Sequence, residues 1–295
     1  MNYYEEIKDK LIDNEIYAKV KDYSKEKYRV ITYYEIGKLL NDAGGMYREN
    51  IIDKYSKKLV LEVGKKYNRR LLFRMKQFYN IFSNKKVSTL WTQLTCSHIR
   101  LLFNLNYNSI NYYINVVISQ HISVRELEYK IKSNEYERLP EDTKNKLINK
   151  KEPGIVDYVK NPIHIKNSNN YENISEKILQ RLILEDIPSF LKELGEGFTF
   201  IENEYKIKLG NRSNYIDILL YNIKFRCYVV VELKVTEINS KHTGQIQNYM
   251  NYIDKNVKGL DDNKTVGIII CKRENNYVIE YCSDKRIVAR EYELV

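Results

Sequence analysis

The chain has 295 residues but only four cysteines, four histidines and a single tryptophan. Cys96, Cys227, Cys271 and Cys282 make no C-x-x-C pair, and His98, His121, His164 and His242 are equally scattered. Neither a zinc site nor a disulfide framework follows from such spacing. No run approaches the roughly 18 apolar residues that span a bilayer, and the opening "MNYYEEIKDK" lacks the apolar core of a signal peptide. The expectation is a cytoplasmic protein with no membrane partner.

Acidic residues are absent from one long stretch. Between Glu62 and Glu126 there is none, while ten basic residues occur: Lys65, Lys66, Arg69, Arg70, Arg74, Lys76, Lys85, Lys86, Arg100 and Arg125. The formal charge of +10 lies entirely in the first 150 residues, the remainder being balanced. A basic half beside a neutral half predicts contact with a polyanion, which for a cytoplasmic protein most often means nucleic acid.

Proline is also sparse, and three of the four, Pro140, Pro153 and Pro162, fall between residues 139 and 171. That polar, weakly periodic segment is the predicted boundary: a helical basic domain over 1–140, a linker over 141–170 and a second domain over 171–295. No repeat at solenoid periods is present. At this length two domains of ordinary size can each bury a core.

Apolar residues before the boundary recur at helical spacing: Ile31, Tyr34 and Leu39; Ile52, Tyr55 and Leu59; then Leu71, Leu72, Met75, Phe78 and Tyr79. "LVLEVGKKYNRRLLFRMKQFYNIF" holds a stop at Gly64, a polar turn with Asn68 as N-cap, and a new helix from about Arg69, a helix-turn-helix-like pattern. Arg70, Arg74 and Gln77 share one face of that helix, and Lys65, Lys66, Arg69, Arg70 and Arg74 are the candidate nucleic-acid contacts. Phe78, Phe82 and Trp91 read as core packing rather than base-stacking platforms.

Beyond the boundary, "ISEKILQRLILEDIPSFLKEL" is an amphipathic helix interrupted at Pro188. Strand-like runs follow at "GFTFIENEYKIKL", "NYIDILLY", "CYVVVELKV", "TVGIIICK" and "NYVIEYC", with a helical stripe of Ile246, Tyr249, Met250 and Ile253 between the third and fourth. The order predicts a mixed sheet with helices packed on it, hence an all-helical first domain joined to an α/β second one.

Residues 214 to 234, "NYIDILLYNIKFRCYVVVELK", read as a hairpin with its turn between Lys224 and Phe225. Antiparallel pairing then sets Asp217 opposite Glu232, with Cβ atoms roughly 4.5 to 5.5 Å apart, and Lys234 on the same face as Glu232. Two adjacent carboxylates raise each other's pKa unless a cation lies between them. Mg²⁺ suits such a pair, and a nearby lysine can orient an attacking water, which points to metal-assisted phosphodiester hydrolysis. The rival reading is an Asp217–Lys234 ion pair with Glu232 turned to solvent.

Asp217 followed by Glu232-Leu233-Lys234 resembles the signature of the PD-(D/E)XK nuclease superfamily, an Asp on one strand and (Asp/Glu)-x-Lys on the next. The succession "GFTFIENEYKI", "YIDILLYN", "CYVVVELK", "GQIQNYM" and "VGIIICK" is similar to its YhcG-like group. The first half resembles that group's helical N-terminal domain through "YYEIGKLL", "YSKKL", "RMKQFY" and "LTCSHIRLL".

The resemblance implies a restriction-endonuclease-like core and a DNA endonuclease with Mg²⁺ or Mn²⁺ as cofactor. Asp217 and Glu232 become metal ligands, Lys234 the residue that positions water or stabilises charge, and Gln245 an auxiliary catalytic group. It also implies duplex or branched DNA as partner, with RNA the rival substrate, and a homodimer as one way to cut both strands. One departure stands out: Gln180 falls where many members carry a glutamate, so Glu176 or Glu185 becomes a substitute ligand. The alternative reading is therefore a weak or inactive DNA-binding or assembly module that retains the nuclease fold.

Overall fold

The computed structural model describes residues 2–19, 24–46 and 50–295. The chain divides into two compact units, Met1–Glu137 and Arg138–Val295. Among the described residues no helix is long and apolar enough to cross a membrane.

The first unit is helical: α1 (Tyr3–Ala18), α2 (Ser24–Met46), α3 (Ile51–Glu62), α4 (Arg69–Phe82), α5 (Cys96–Leu101), α6 (Tyr107–Gln120) and α7 (Val124–Lys132). The expected stop and restart between α3 and α4 is present, and the Asn68 side chain accepts from the Leu71 amide at 3.1 Å. Ile36 and Leu40 of α2 pack with Leu72 and Met75 of α4 in one core cluster. Phe78, Phe82 and Tyr34 surround Trp91, which is 7% exposed, so these rings are core, as the sequence predicts.

Close approach of α2 to α4 depends on Gly37, where a Cβ would lie 2.1 Å from the Met75 carbonyl oxygen. Backbone cannot yield as a side chain does. Gly37→Ala is therefore expected to destabilise the protein by about 1–3 kcal/mol, measurable as a lower urea midpoint in Trp91 fluorescence.

The second unit begins with α8 (Glu141–Ile148) and continues through β1 (Ile163–Ile165), α9 (Glu176–Glu185), α10 (Ile187–Leu194), β2 (Phe198–Leu209), β3 (Arg212–Asn222), β4 (Cys227–Glu237), α11 (Ser240–Asn256), β5 (Val266–Arg273), α12 (Asn276–Glu280) and β6 (Ile287–Leu294). The sheet order is β1-β6-β5-β4-β3-β2. The β2–β3 and β3–β4 pairs are antiparallel, and the β4–β5, β5–β6 and β6–β1 pairs parallel. Leu179, Leu182, Ile183, Phe190 and Leu194 of α9 and α10 cover one face. Ile246, Tyr249, Met250 and Ile253 of α11 cover the other.

Three sequence expectations need correction. Residues 141–170, expected as a linker, are part of the second unit: β1 pairs with β6, and Ile155, Val159, Ile163 and Ile165 are buried in its core. Arg290 of β6 fastens the segment by donating from Nε to the Val159 carbonyl at 2.9 Å and from Nη2 to that of Val156 at 3.2 Å. The unit boundary accordingly falls at 137/138 rather than at 140 and 170. "NYVIEYC", expected as a strand, forms α12, capped by the Asn275 side chain on the Val278 amide. The last strand is instead "IVAREYEL", whose charged residues mask its alternation.

Candidate active site

The hairpin register is the expected one. Its pairs run from Asn222↔Cys227 to Ile218↔Val231, and one further step brings Asp217 level with Glu232. The ladder ends there, and side chains replace its next bonds. Asp217 Oδ2 accepts from the Leu233 amide at 2.8 Å, while Gln180 Nε2 of α9 donates to the Asp217 carbonyl at 3.0 Å.

Glu232 is 2% exposed and Lys234 9%. Lys234 Nζ lies 3.5 Å from Glu232 Oε2 and 3.5 Å from Glu176 Oε2, and it donates to the Leu233 carbonyl at 2.9 Å. From α11, Gln245 Nε2 donates to Glu232 Oε2 at 3.2 Å and to the Tyr249 hydroxyl at 2.9 Å. Glu232 is thus the buried member of the cluster, which rules out the reading that turned it to solvent. Glu232 Oε1 is buried without a hydrogen-bond partner, and among the described residues no hydrogen bond engages Asp217 Oδ1. Each acid has one oxygen held and one uncommitted.

Burial, and then the Asp217 charge, push the Glu232 carboxyl up to about 8, with Lys234 opposing. Burial also raises Asp217; the Leu233 amide and Lys234 oppose it, and Glu176 and Glu204 reinforce it. Two carboxyls whose ionised forms are disfavoured are what a cation would relieve. The donor set fits a small hard cation that takes one or two carboxylates and keeps water or phosphate in its other positions. Among the described residues there is no group of three or more His, Cys, Asp or Glu side chains placed to hold a metal ion.

Of the two substitutes weighed for the residue at 180, only Glu176 reaches the cluster; Glu185 Oε2 accepts from Asn169 at 3.1 Å, away from it. Gln180 itself has a role a glutamate cannot fill, since a carboxylate would face the Asp217 carbonyl with no hydrogen to donate. Gln180→Glu is therefore expected to lower the melting temperature in chelator, with a loss of about 1–3 kcal/mol. Differential scanning calorimetry would check it.

Sequence reading missed Tyr249 and His242. Four residues beyond Gln245 on a helix, Tyr249 falls within reach of it by spacing alone. His242 lies in the first turn of α11, and burial together with the Lys234 charge holds its imidazole below the ordinary value.

Of the five predicted nucleic-acid contacts, two have an acidic partner. Lys66 pairs with Glu15, and Arg69 with Asp53 at 2.5 Å. Lys65 and Arg70 are exposed and Arg74 is half-buried.

A mixed sheet with Asp on one strand level with Glu-x-Lys on the next has the form of a PD-(D/E)XK nuclease domain. Residues 156–295 match the family described as the YhcG PDDEXK nuclease domain, and residues 12–138 match the DUF1016 N-terminal domain. The second unit thus carries a YhcG-type PD-(D/E)XK nuclease domain and the first a DUF1016 N-terminal domain. YhcG of Escherichia coli (strain K12) is 21% identical over 309 residues, covering 89% of this chain and 82% of its own. A repair endonuclease from Pyrococcus abyssi aligns with a TM-score of 0.29 at 19% identity, over 43% of this chain and 48% of that one. An EndoMS–dsDNA complex aligns with the same TM-score at 18% identity and the same coverage. The chain spans about half the length of these solved structures.

Proposed function

We propose that the protein is a divalent-metal-dependent DNA endonuclease, with Asp217 and Glu232 holding Mg²⁺ or Mn²⁺ and the helical unit binding DNA. The observation that carries this reading is the buried Glu232, its Oε1 uncommitted, level with Asp217 and beside Lys234. When bound, the cation supplies Lewis-acid polarisation of the phosphodiester and a more acidic attacking water.

The remaining work falls to the side chains. Gln245 fixes one Glu232 oxygen, and the Leu233 amide fixes one of Asp217, so the free oxygen of each acid is aimed without rearrangement. Lys234 is tethered to the Leu233 carbonyl between two acids, and its positive charge is the group that would offset negative charge growing on the phosphate. Tyr249 holds the Gln245 amide in line. Tyr249→Phe is expected to reduce cleavage several-fold by loosening Gln245, with little effect on DNA binding; single-turnover rates and anisotropy separate the two.

The direct test is nicking of supercoiled plasmid with Mg²⁺, with Mn²⁺ and with chelator. Metal-dependent nicking lost in Asp217→Asn supports the reading. Retained DNA binding without cleavage in either metal would favour a non-catalytic module instead. Matched RNA and DNA substrates rank the two nucleic acids.

A further inference from the structure

We propose that Arg70, Phe73 and Arg74 of α4, with Arg100 of α5, form a contact surface for nucleic acid bearing unstacked bases, the arginines taking phosphates and Phe73 stacking on a base. This rests on the nucleic-acid reading of the helical unit and narrows it to one face and one substrate class.

Arg70, Phe73, Arg74 and Gln77 occupy positions i, i+3, i+4 and i+7 of α4, a single helical stripe. The opposite face, with Leu72, Met75, Phe78 and Phe82, is buried. Phe73 is 55% exposed, although its neighbours on the core face are almost wholly buried. The ring therefore stands in water on the same helical face as the two arginines.

Several basic side chains of this unit meet acids: Lys8 with Glu62, Lys10 with Glu35, Lys66 with Glu15, Arg69 with Asp53, Lys130 with Glu135 and Lys132 with Glu128. Among the described residues no ion pair engages Arg70, Arg74 or Arg100. Helix α5, which carries Arg100, packs against α4, and partial burial with the neighbouring guanidiniums of Arg70 and Arg100 holds Arg74 below its ordinary pKa. The acid that faces Arg100 is Glu128 of α7, and Lys132 already engages it.

Three like charges, partly offset by Glu128, which Lys132 also engages, repel one another in the free protein, and an incoming polyanion relieves that repulsion. Guanidinium forks match phosphate in two-point geometry. The exposed ring distinguishes nucleic acid from an acidic peptide, because a base offers a π-face to stack on. Stacking needs an unstacked base, so forked or single-stranded DNA fits this face better than uniform duplex.

The test is fluorescence anisotropy with the full chain in chelator, using a duplex, a single strand and a fork of common sequence over a range of NaCl. Arg70→Ala, Arg74→Ala and Arg100→Ala should each lower the salt slope by about one on every DNA. Phe73→Ala should leave the slope unchanged and weaken fork and single strand roughly tenfold or more, with duplex little affected. Lys10→Ala, which removes a side chain paired with Glu35, should bind as wild type. Circular dichroism controls for folding, and Mg²⁺-dependent nicking at saturating DNA separates failure here from failure of the nuclease reading. Wild-type binding by all four surface variants would overturn the proposal, as would equal displacement by polyglutamate.

Discussion

Glu232→Gln should abolish metal-dependent nicking and, in chelator, raise the melting temperature above wild type at pH 8. The first effect follows from removing a carboxylate from a two-carboxylate site, with an expected fall of at least about a thousandfold. The second follows from what the free protein tolerates. In the folded chain Glu232 titrates at about 8, against an ordinary 4.5. Its proton is held more tightly folded than unfolded. Stability is therefore complete below the unfolded value and declines as the pH rises from about 4.5 to about 8, by an amount on the order of a few kcal/mol.

The amide that replaces the carboxyl in this variant carries no charge and lacks this slope, so the gap in melting temperature should widen from pH 5 to pH 8 and then level off. Mg²⁺ should raise the melting temperature of wild type and leave the variant unmoved. Calorimetric melts of both proteins at several pH values, with chelator and with Mg²⁺, supply the comparison. A variant that melts with wild type at every pH would show that Glu232 is not held under electrostatic stress, and the metal assignment would lose its main support.

Lys234→Ala should slow single-turnover nicking by about a hundredfold or more at saturating DNA, with DNA affinity in chelator unchanged. Lys234 is held by the Leu233 carbonyl and flanked by Glu232 and Glu176, so its position is set before substrate arrives. Lys234→Arg should recover little, because a planar fork cannot reproduce a compact ammonium tethered to its neighbour's carbonyl. Equal rates for Lys234→Ala and wild type would remove the lysine from the reaction. Loss of affinity without loss of rate at saturation would make it a binding residue.

The two sites differ in how they were legible. Asp217, Glu232 and Lys234 came together from sequence because an antiparallel hairpin keeps a constant index sum across its pairs, and side chains alternate faces along each strand. Gln245 could be placed on the following helix, but its contact with Glu232 needed the packing of α11 on the sheet. The role of Gln180 was not legible, because nothing in α9 says that the β3–β4 ladder stops before Asp217 and leaves a carbonyl to be satisfied. On the helical half, composition revealed the basic stretch. Only the fold showed that Lys66 and Arg69 are paired to Glu15 and Asp53 while Phe73 stands exposed.

Local rules of periodicity, capping and hairpin register thus determined the helical first unit, the Asn68 cap, the hairpin that sets Asp217 level with Glu232 and the helix break near Pro188. Tertiary structure alone decided that residues 141–170 complete the second unit, that "NYVIEYC" is a helix and "IVAREYEL" the last strand, and which acid on α9 reaches Lys234. Local rules depend on neighbours a few residues away, which the sequence displays directly. Parallel pairing such as β1 with β6, and the choice of partner for a buried charge such as Lys234, depend on residues from 58 to more than a hundred positions apart that no period connects.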